Sequence, residues 1–189
     1  MDFYDEGLSA YESGNFAKAI ELWTKAAEEG CVEAQGSLGT CYYNGQGVTQ
    51  DFAKAVEWHT KAADQNCATA QSNLGECYFF GQGVKEDKKK AVELFTKAAE
   101  QGCASAQYDL GECYYFGQGA AQDFKKAVEW FSKAAEQGCV EAQYNLGACY
   151  ENGEGVSQDI KKAMGLYKLA ADKGYECAKE QLKVCTENK

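Results

Sequence analysis

The chain has no proline, no arginine and one histidine in 189 residues. Without proline nothing interrupts a helix from within. The supply of Ala, Leu, Glu and Lys, with glycine at regular places, favours helices joined by glycine turns. No run of 18 apolar residues and no basic-plus-apolar leader is present, so neither a membrane span nor a signal peptide is expected. A basic surplus is missing too. Against 29 acidic residues stand 19 cations, a net charge of −10. That excludes nucleic acid as the main partner and favours basic or neutral partners. Catalytic groupings are equally scarce. There is no CxxC pair, and the GQGVTQ and GQGVKE stretches lack the third glycine of a dinucleotide fingerprint and follow helical rather than strand patterns. The one histidine, His59, stands where other units carry Trp23, Phe95, Phe131 and Tyr167, and so reads as a core ring. No cofactor and no enzymatic activity are expected.

What is present is a period. Cys31, Cys67, Cys103 and Cys139 recur every 36 residues, as do Cys41, Cys77, Cys113 and Cys149. A fixed spacing of this size signals a solenoid. Within each unit one apolar stripe runs Ala34, Leu38, Tyr42, and a second runs Ala55, Trp58, His59, Ala62, both at helical spacing. Each unit is therefore two antiparallel helices, and the fold class is all-α. Gly39, Gly75, Gly111 and Gly147 fall inside the first helices, where glycine costs ~1 kcal/mol against alanine; close helix packing is the expected compensation. The segments are a shorter unit over 1–30, full repeats over 31–66, 67–102, 103–138 and 139–174, and a C-terminal capping helix over 175–189, all in one domain.

The motifs VEAQ and ASAQ, LGTCY, LGECY and LGACY, the GQGV loop and the second helix KAVEWxxKAAEQG resemble the Sel-1-like repeat family, relatives of the tetratricopeptide repeats. The resemblance covers nearly the whole chain, with the first unit nearer to a tetratricopeptide repeat because its turn is short. It implies a right-handed α-solenoid whose first helices line a concave face, and a role as an adaptor that assembles other proteins. In a secreted, cysteine-rich branch of the family, disulfides join cysteines eight apart. The corresponding slots here are Ala63 and Gln71, then Ala99 and Gln107, so that framework is not carried over. The β-lactam binding associated with that branch lacks its SxxK, KTG and SDN elements here.

Cys31 and Cys41 stand at opposite ends of one helix, ~15 Å apart at 1.5 Å per residue. A disulfide needs Cα atoms within ~7 Å. Equivalent cysteines in adjacent repeats are separated by the helix packing distance of ~8–10 Å, and a zinc site fails for the same reason. Reduced thiols are expected, and with them a cytoplasmic setting; paired cysteines would indicate a secreted or periplasmic one. The helix-start cysteines sit where a helix N-terminus favours thiolate. A thiol-based redox or metal-handling protein is therefore the alternative function, and a consensus-like scaffold without a natural ligand a third.

Differences among the chain's own repeats separate fold from function. Slots filled alike, such as Ala34, Leu38, Gly39 and Tyr42, stack the array. Slots on the first helices that differ include Gly36, Thr40 and Tyr43 in one unit, Ser72, Glu76 and Phe79 in the next, and Tyr108, Glu112, Tyr115 and Tyr144 beyond. From these the expected partner-binding residues are Tyr43, Glu76, Phe79, Tyr108, Glu112, Tyr115 and Tyr144. Aromatic anchors with acidic neighbours suit a protein or peptide carrying an apolar anchor and basic flanks.

Overall fold

The computed structural model describes residues 2–187; Met1, Asn188 and Lys189, which the segments 1–30 and 175–189 take in, lie outside the described residues. Among the described residues there are eleven α-helices and no strand. They are α1 Phe3–Glu12, α2 Phe16–Glu28, α3 Val32–Asn44, α4 Phe52–Asp64, α5 Ala68–Phe80, α6 Lys88–Glu100, α7 Ala104–Phe116, α8 Phe124–Glu136, α9 Val140–Asn152, α10 Ile160–Asp172 and α11 Glu176–Glu187. The chain divides into two compact units, one running to Gln101 and one from Gly102. The sequence period marks no break there. Within each unit, consecutive helices pack as neighbours.

Local chemistry fixes the helix ends. Asp51, Asp87, Asp123 and Asp159 take extended φ near −150°, and their carboxylates accept the backbone N–H of Lys54, Lys90, Lys126 and Lys162. Each such cap stabilises by about 1 kcal/mol. Gly45 and its copies end the first helices in the left-handed region, and the next residue's N–H returns to the carbonyl of Cys41, Cys77, Cys113 or Cys149. The second glycine of the loop has another reason to be there. A Cβ on Gly83 would run into the backbone carbonyl of Phe52, and one on Gly155 into that of Phe124. The middle residue completes the joint: Tyr11, Tyr43 and Tyr115 donate their hydroxyls to Gln46, Gln82 and Glu154 of the following repeat at 2.7, 2.6 and 2.6 Å. The GQG loop is a turn, and also a clip between repeats.

The helix-interior glycines pack as expected. A Cβ on Gly39, Gly75, Gly111 or Gly147 would lie 2.5–2.7 Å from His59, Phe95, Phe131 or Tyr167, and all four rings are buried. Burying a phenyl ring such as that of Phe95 or Phe131 contributes about 1.5–3 kcal/mol, which offsets the ~1 kcal/mol cost of a helical glycine. Gly7 seats Trp23 in the same way.

A glutamine series adds polar joints that the sequence pattern does not announce. The buried Gln35, Gln71 and Gln143 donate to the carbonyls of Ala27, Ala63 and Ala135 in the preceding helix at 3.1, 3.3 and 3.2 Å. Gln65, Gln101 and Gln137 then donate to Gln35, Gln71 and Gln107 at 2.8, 2.7 and 2.8 Å. Lys173 holds the next place in this series and bonds the carbonyl of Gly138 instead. Gln143 Oε1 is left buried without a partner among the described residues. At the end of the second unit Ala178 and Cys185 of α11 are buried against Tyr167 and Ala170.

Candidate functional site

In the first unit the face made by α1, α3 and α5 is hollow. An apolar cleft of 380 Å³ is walled by Tyr4, Leu8 and Tyr11 of α1, Trp23 of α2 and Thr69 of α5, with the small Gly36 in its lining. Leu8 is 38% exposed, and the exposed carboxylate of Glu33 also lines the cleft. Beside it lies a polar cavity of 190 Å³ bounded by Thr40, Tyr43, Asn44, His59, Asn73 and Glu76. Thr40 and Asn73 border both spaces and are bonded to each other at 3.4 Å. His59 is 1% exposed, and neither ring nitrogen has a hydrogen-bond partner among the described residues. Burial lowers its pKa to about 4, which keeps it neutral, and burial pushes the Glu76 carboxyl up.

Of the residues expected from the sequence, Tyr43 and Glu76 meet in this polar cavity. Tyr43 is half-buried, its ring edge-on to Phe52. Phe79 is held elsewhere, against Phe80 and Phe95 at 5.0 and 6.3 Å, with the Lys88 ammonium 5.0 Å above its ring.

The second unit uses the same positions differently. Tyr108 lies on Phe131 with ring centres 6.0 Å apart, and Glu112 and Asn145 stand beside its hydroxyl. Tyr144 packs between Tyr167 and Tyr175, each at 5.4 Å. Tyr115 bonds Glu154 and packs on Phe124 at 5.2 Å. Burial, with acidic neighbours adding, drives the Tyr108 and Tyr115 phenols well above their ordinary range. Four of the seven expected residues thus complete the framework of their own unit. A separate depression of 410 Å³ lies on the second-helix side, where Leu146, Leu166 and the exposed Leu169 line it.

The cysteines bear on the redox alternative. Cys41, Cys77 and Cys149 are buried free thiols whose pKa values burial raises to about 11, 11 and 12. The thiolate character expected at helix starts does not hold for Cys31 and Cys139. Burial pushes both thiols up, and the carboxylates of Glu33 and Glu141 beside them act in the same direction, outweighing the backbone N–H groups. Among the described residues no group of three or more His, Cys, Asp or Glu side chains is placed to hold a metal ion.

Sequence reasoning missed Tyr4, Leu8 and Asn73. The first two sit in the short unit, whose different turn obscures its register against the others. Asn73 was passed over because its neighbours Ser72 and Glu76 held the variable slots. Gly36 stands in a variable slot, where smallness alone does not announce open space.

Comparison with known proteins agrees with the geometry. The Sel1 repeat profile matches residues 2–31, 32–67, 68–103, 104–139 and 140–175, the short first unit included. The chain is similar to the crystal structure of c5321, a protective antigen present in uropathogenic Escherichia coli strains displaying an SLR fold. The identity is 40% with a TM-score of 0.88, over 95% of this chain and 39% of that one. This chain thus spans well under half the length of that relative. A Sel1 repeat protein from Oxalobacter formigenes is 32% identical with a TM-score of 0.91, over 98% of this chain and 74% of the other. Helicobacter pylori cysteine rich protein B is 26% identical with a TM-score of 0.56, over 70% of this chain and 96% of its own. No curated protein sequence gives a match. With helix pairs spaced by 36 residues and five tandem matches from residue 2 to residue 175, the chain belongs to the Sel1 repeat family, whose members act as protein-interaction scaffolds.

Proposed function

We propose that the first-helix face of the first unit binds a protein or peptide segment, with an apolar anchor in the cleft beside Leu8 and basic flanks near Glu33 and Glu76. The observation that carries this reading is the 380 Å³ cleft, open and mostly apolar in its lining. Concave, apolar sites with a few polar groups at the edge are where ligands bind. The net charge of −10 favours a basic segment over longer range. Tyr43 and Glu76 are contacts in this reading, while Tyr108, Tyr115, Tyr144 and Glu112 support the second unit. Reduced cysteines and a cytoplasmic setting are part of the same proposal.

The test is titration of the protein with peptides selected from a random linear library. Leu8→Asp is expected to weaken binding roughly tenfold or more, as loss of a central apolar contact does. Glu33→Gln is expected to act mainly on the association rate and on its salt dependence. Unchanged affinity in Leu8→Asp would place binding elsewhere, the Leu146–Leu166–Leu169 depression being the next surface to probe.

A further inference from the structure

The fifth residue of the first helix in successive full repeats is Gly36, Ser72, Tyr108 and Tyr144. In the second unit Tyr108 lies on Phe131, with Glu112 and Asn145 beside its hydroxyl and with Tyr115 also packed on Phe131. Two periods upstream, the residues corresponding to Phe131, Glu112, Asn145 and Tyr115 are His59, Thr40, Asn73 and Tyr43. These four line the 190 Å³ polar cavity. At the place of Tyr108 stands Gly36, and a Cβ added there would meet nothing within 4 Å. The first unit therefore has the walls that hold a tyrosine in the second unit, with no tyrosine of its own between them.

The walls also make a chemical demand. A buried polar group without a partner is rare and calls for a reason. His59 has two such atoms and borders a space several times the ~30 Å³ share of one water molecule. A neutral imidazole offers one donor and one acceptor. A phenol hydroxyl both donates and accepts, and its ring can pack on the imidazole as Tyr108 packs on Phe131. An ammonium only donates and would leave the imidazole N–H without an acceptor, while a carboxylate would meet Glu76.

Resting on the reading of this face given above, we propose that the cavity bounded by His59, Asn73 and Glu76 is a receptor slot for a tyrosine side chain of the bound segment, which takes there the place that Tyr108 takes in the second unit.

The test uses the full chain as wild type, Gly36→Tyr and Gly36→Ala. The tyrosine variant fills the slot from within; the alanine variant keeps it open and controls for the helix. A random linear peptide library selected on wild type is expected to enrich tyrosine. The enriched peptides should lose roughly tenfold or more in affinity on Gly36→Tyr and keep it on Gly36→Ala. Peptides that bind, respond to Leu8→Asp, lack tyrosine and ignore Gly36→Tyr would overturn the slot while leaving the cleft reading intact. Enrichment of lysine at the Gly36-sensitive position would overturn it as well. If no peptide binds wild type, the cleft reading fails and p-cresol decides the slot alone. Saturable shifts of the His59 imidazole resonances in wild type but not in Gly36→Tyr support the slot, and their absence in wild type rejects it.

Discussion

The two units share the same helix pair and the same GQG-type loop, yet one first-helix face is hollow and the other is filled. The difference lies mainly at one position. Gly36 borders the apolar cleft of the first unit, next to the polar cavity, whereas Tyr108 and Tyr144 lie on the rings of Phe131 and Tyr167 in the second. A repeat fold tolerates either state because stacking is carried by other residues: the glycine-to-ring contacts, the tyrosine-to-GQG clips and the buried glutamines. The face thus varies without endangering the stack, and that is how one repeat comes to hold a framework and another a site.

The largest test of this comparison hollows the second unit. Tyr108→Gly removes a half-buried ring and adds a helical glycine, and is expected to cost about 3 kcal/mol in chemical denaturation of the full chain. A loss below the scatter of surface substitutions would mean that the tyrosine is not part of the framework. Next is His59→Phe, which gives the first unit the ring that its copies have. The folded pKa of His59 is pulled down to about 4 from an ordinary 6.5. The unfolded chain therefore takes the proton first, so the stability is fully present above pH 6.5 and is lost as pH falls through that window to about 4. The loss amounts to about 3 kcal/mol. Glu76 works in the opposite sense, because its raised pKa contributes stability at low pH that fades as pH rises. The difference between wild type and His59→Phe across pH 4 to 6.5 isolates the histidine, and parallel melting curves would contradict its burial as a neutral ring.

Filling the first unit is expected to have a smaller, opposite effect. Gly36→Tyr should gain about 2 kcal/mol, from removing a helical glycine and burying part of a ring. A destabilised variant would show that the cavity cannot take the side chain that the second unit accepts. The smallest effect is at the end of the glutamine series. Lys173→Gln restores a donor for Gln143 Oε1 and should gain about 1 kcal/mol, read from the melting temperature. No change would imply that this oxygen is satisfied in solution.

Much of the fold was legible because each repeat states it again. The 36-residue spacing, the two apolar stripes of each repeat and the interior glycines that call for close helix packing all carry local or periodic signals. The tyrosine-to-GQG clips did not, since Tyr43 and Gln82 are 39 residues apart and nothing local links a hydroxyl to its acceptor. The candidate site was half legible. Variation pointed to the first-helix face, and two of the seven expected residues, Tyr43 and Glu76, come together in one cavity. Reading Tyr108 and Tyr144 as outward anchors missed that a tyrosine at the fifth position lies down on the ring of the partner helix, which only the packing direction reveals. The same packing turns Gly36 from an unremarkable slot into an opening.

The bond from Gln71 to the carbonyl of Ala63 joins the two positions, eight residues apart, at which the cysteine-rich branch carries a sulfur bridge. A covalent bridge ties a fold to the electron traffic of its surroundings, because its formation follows the local reduction potential. An amide reaching a carbonyl does not. The joint from one repeat to the next is therefore indifferent to electrochemical poise: a shift from a glutathione-buffered medium to an oxidising one leaves it intact and acts only on the thiols beside it.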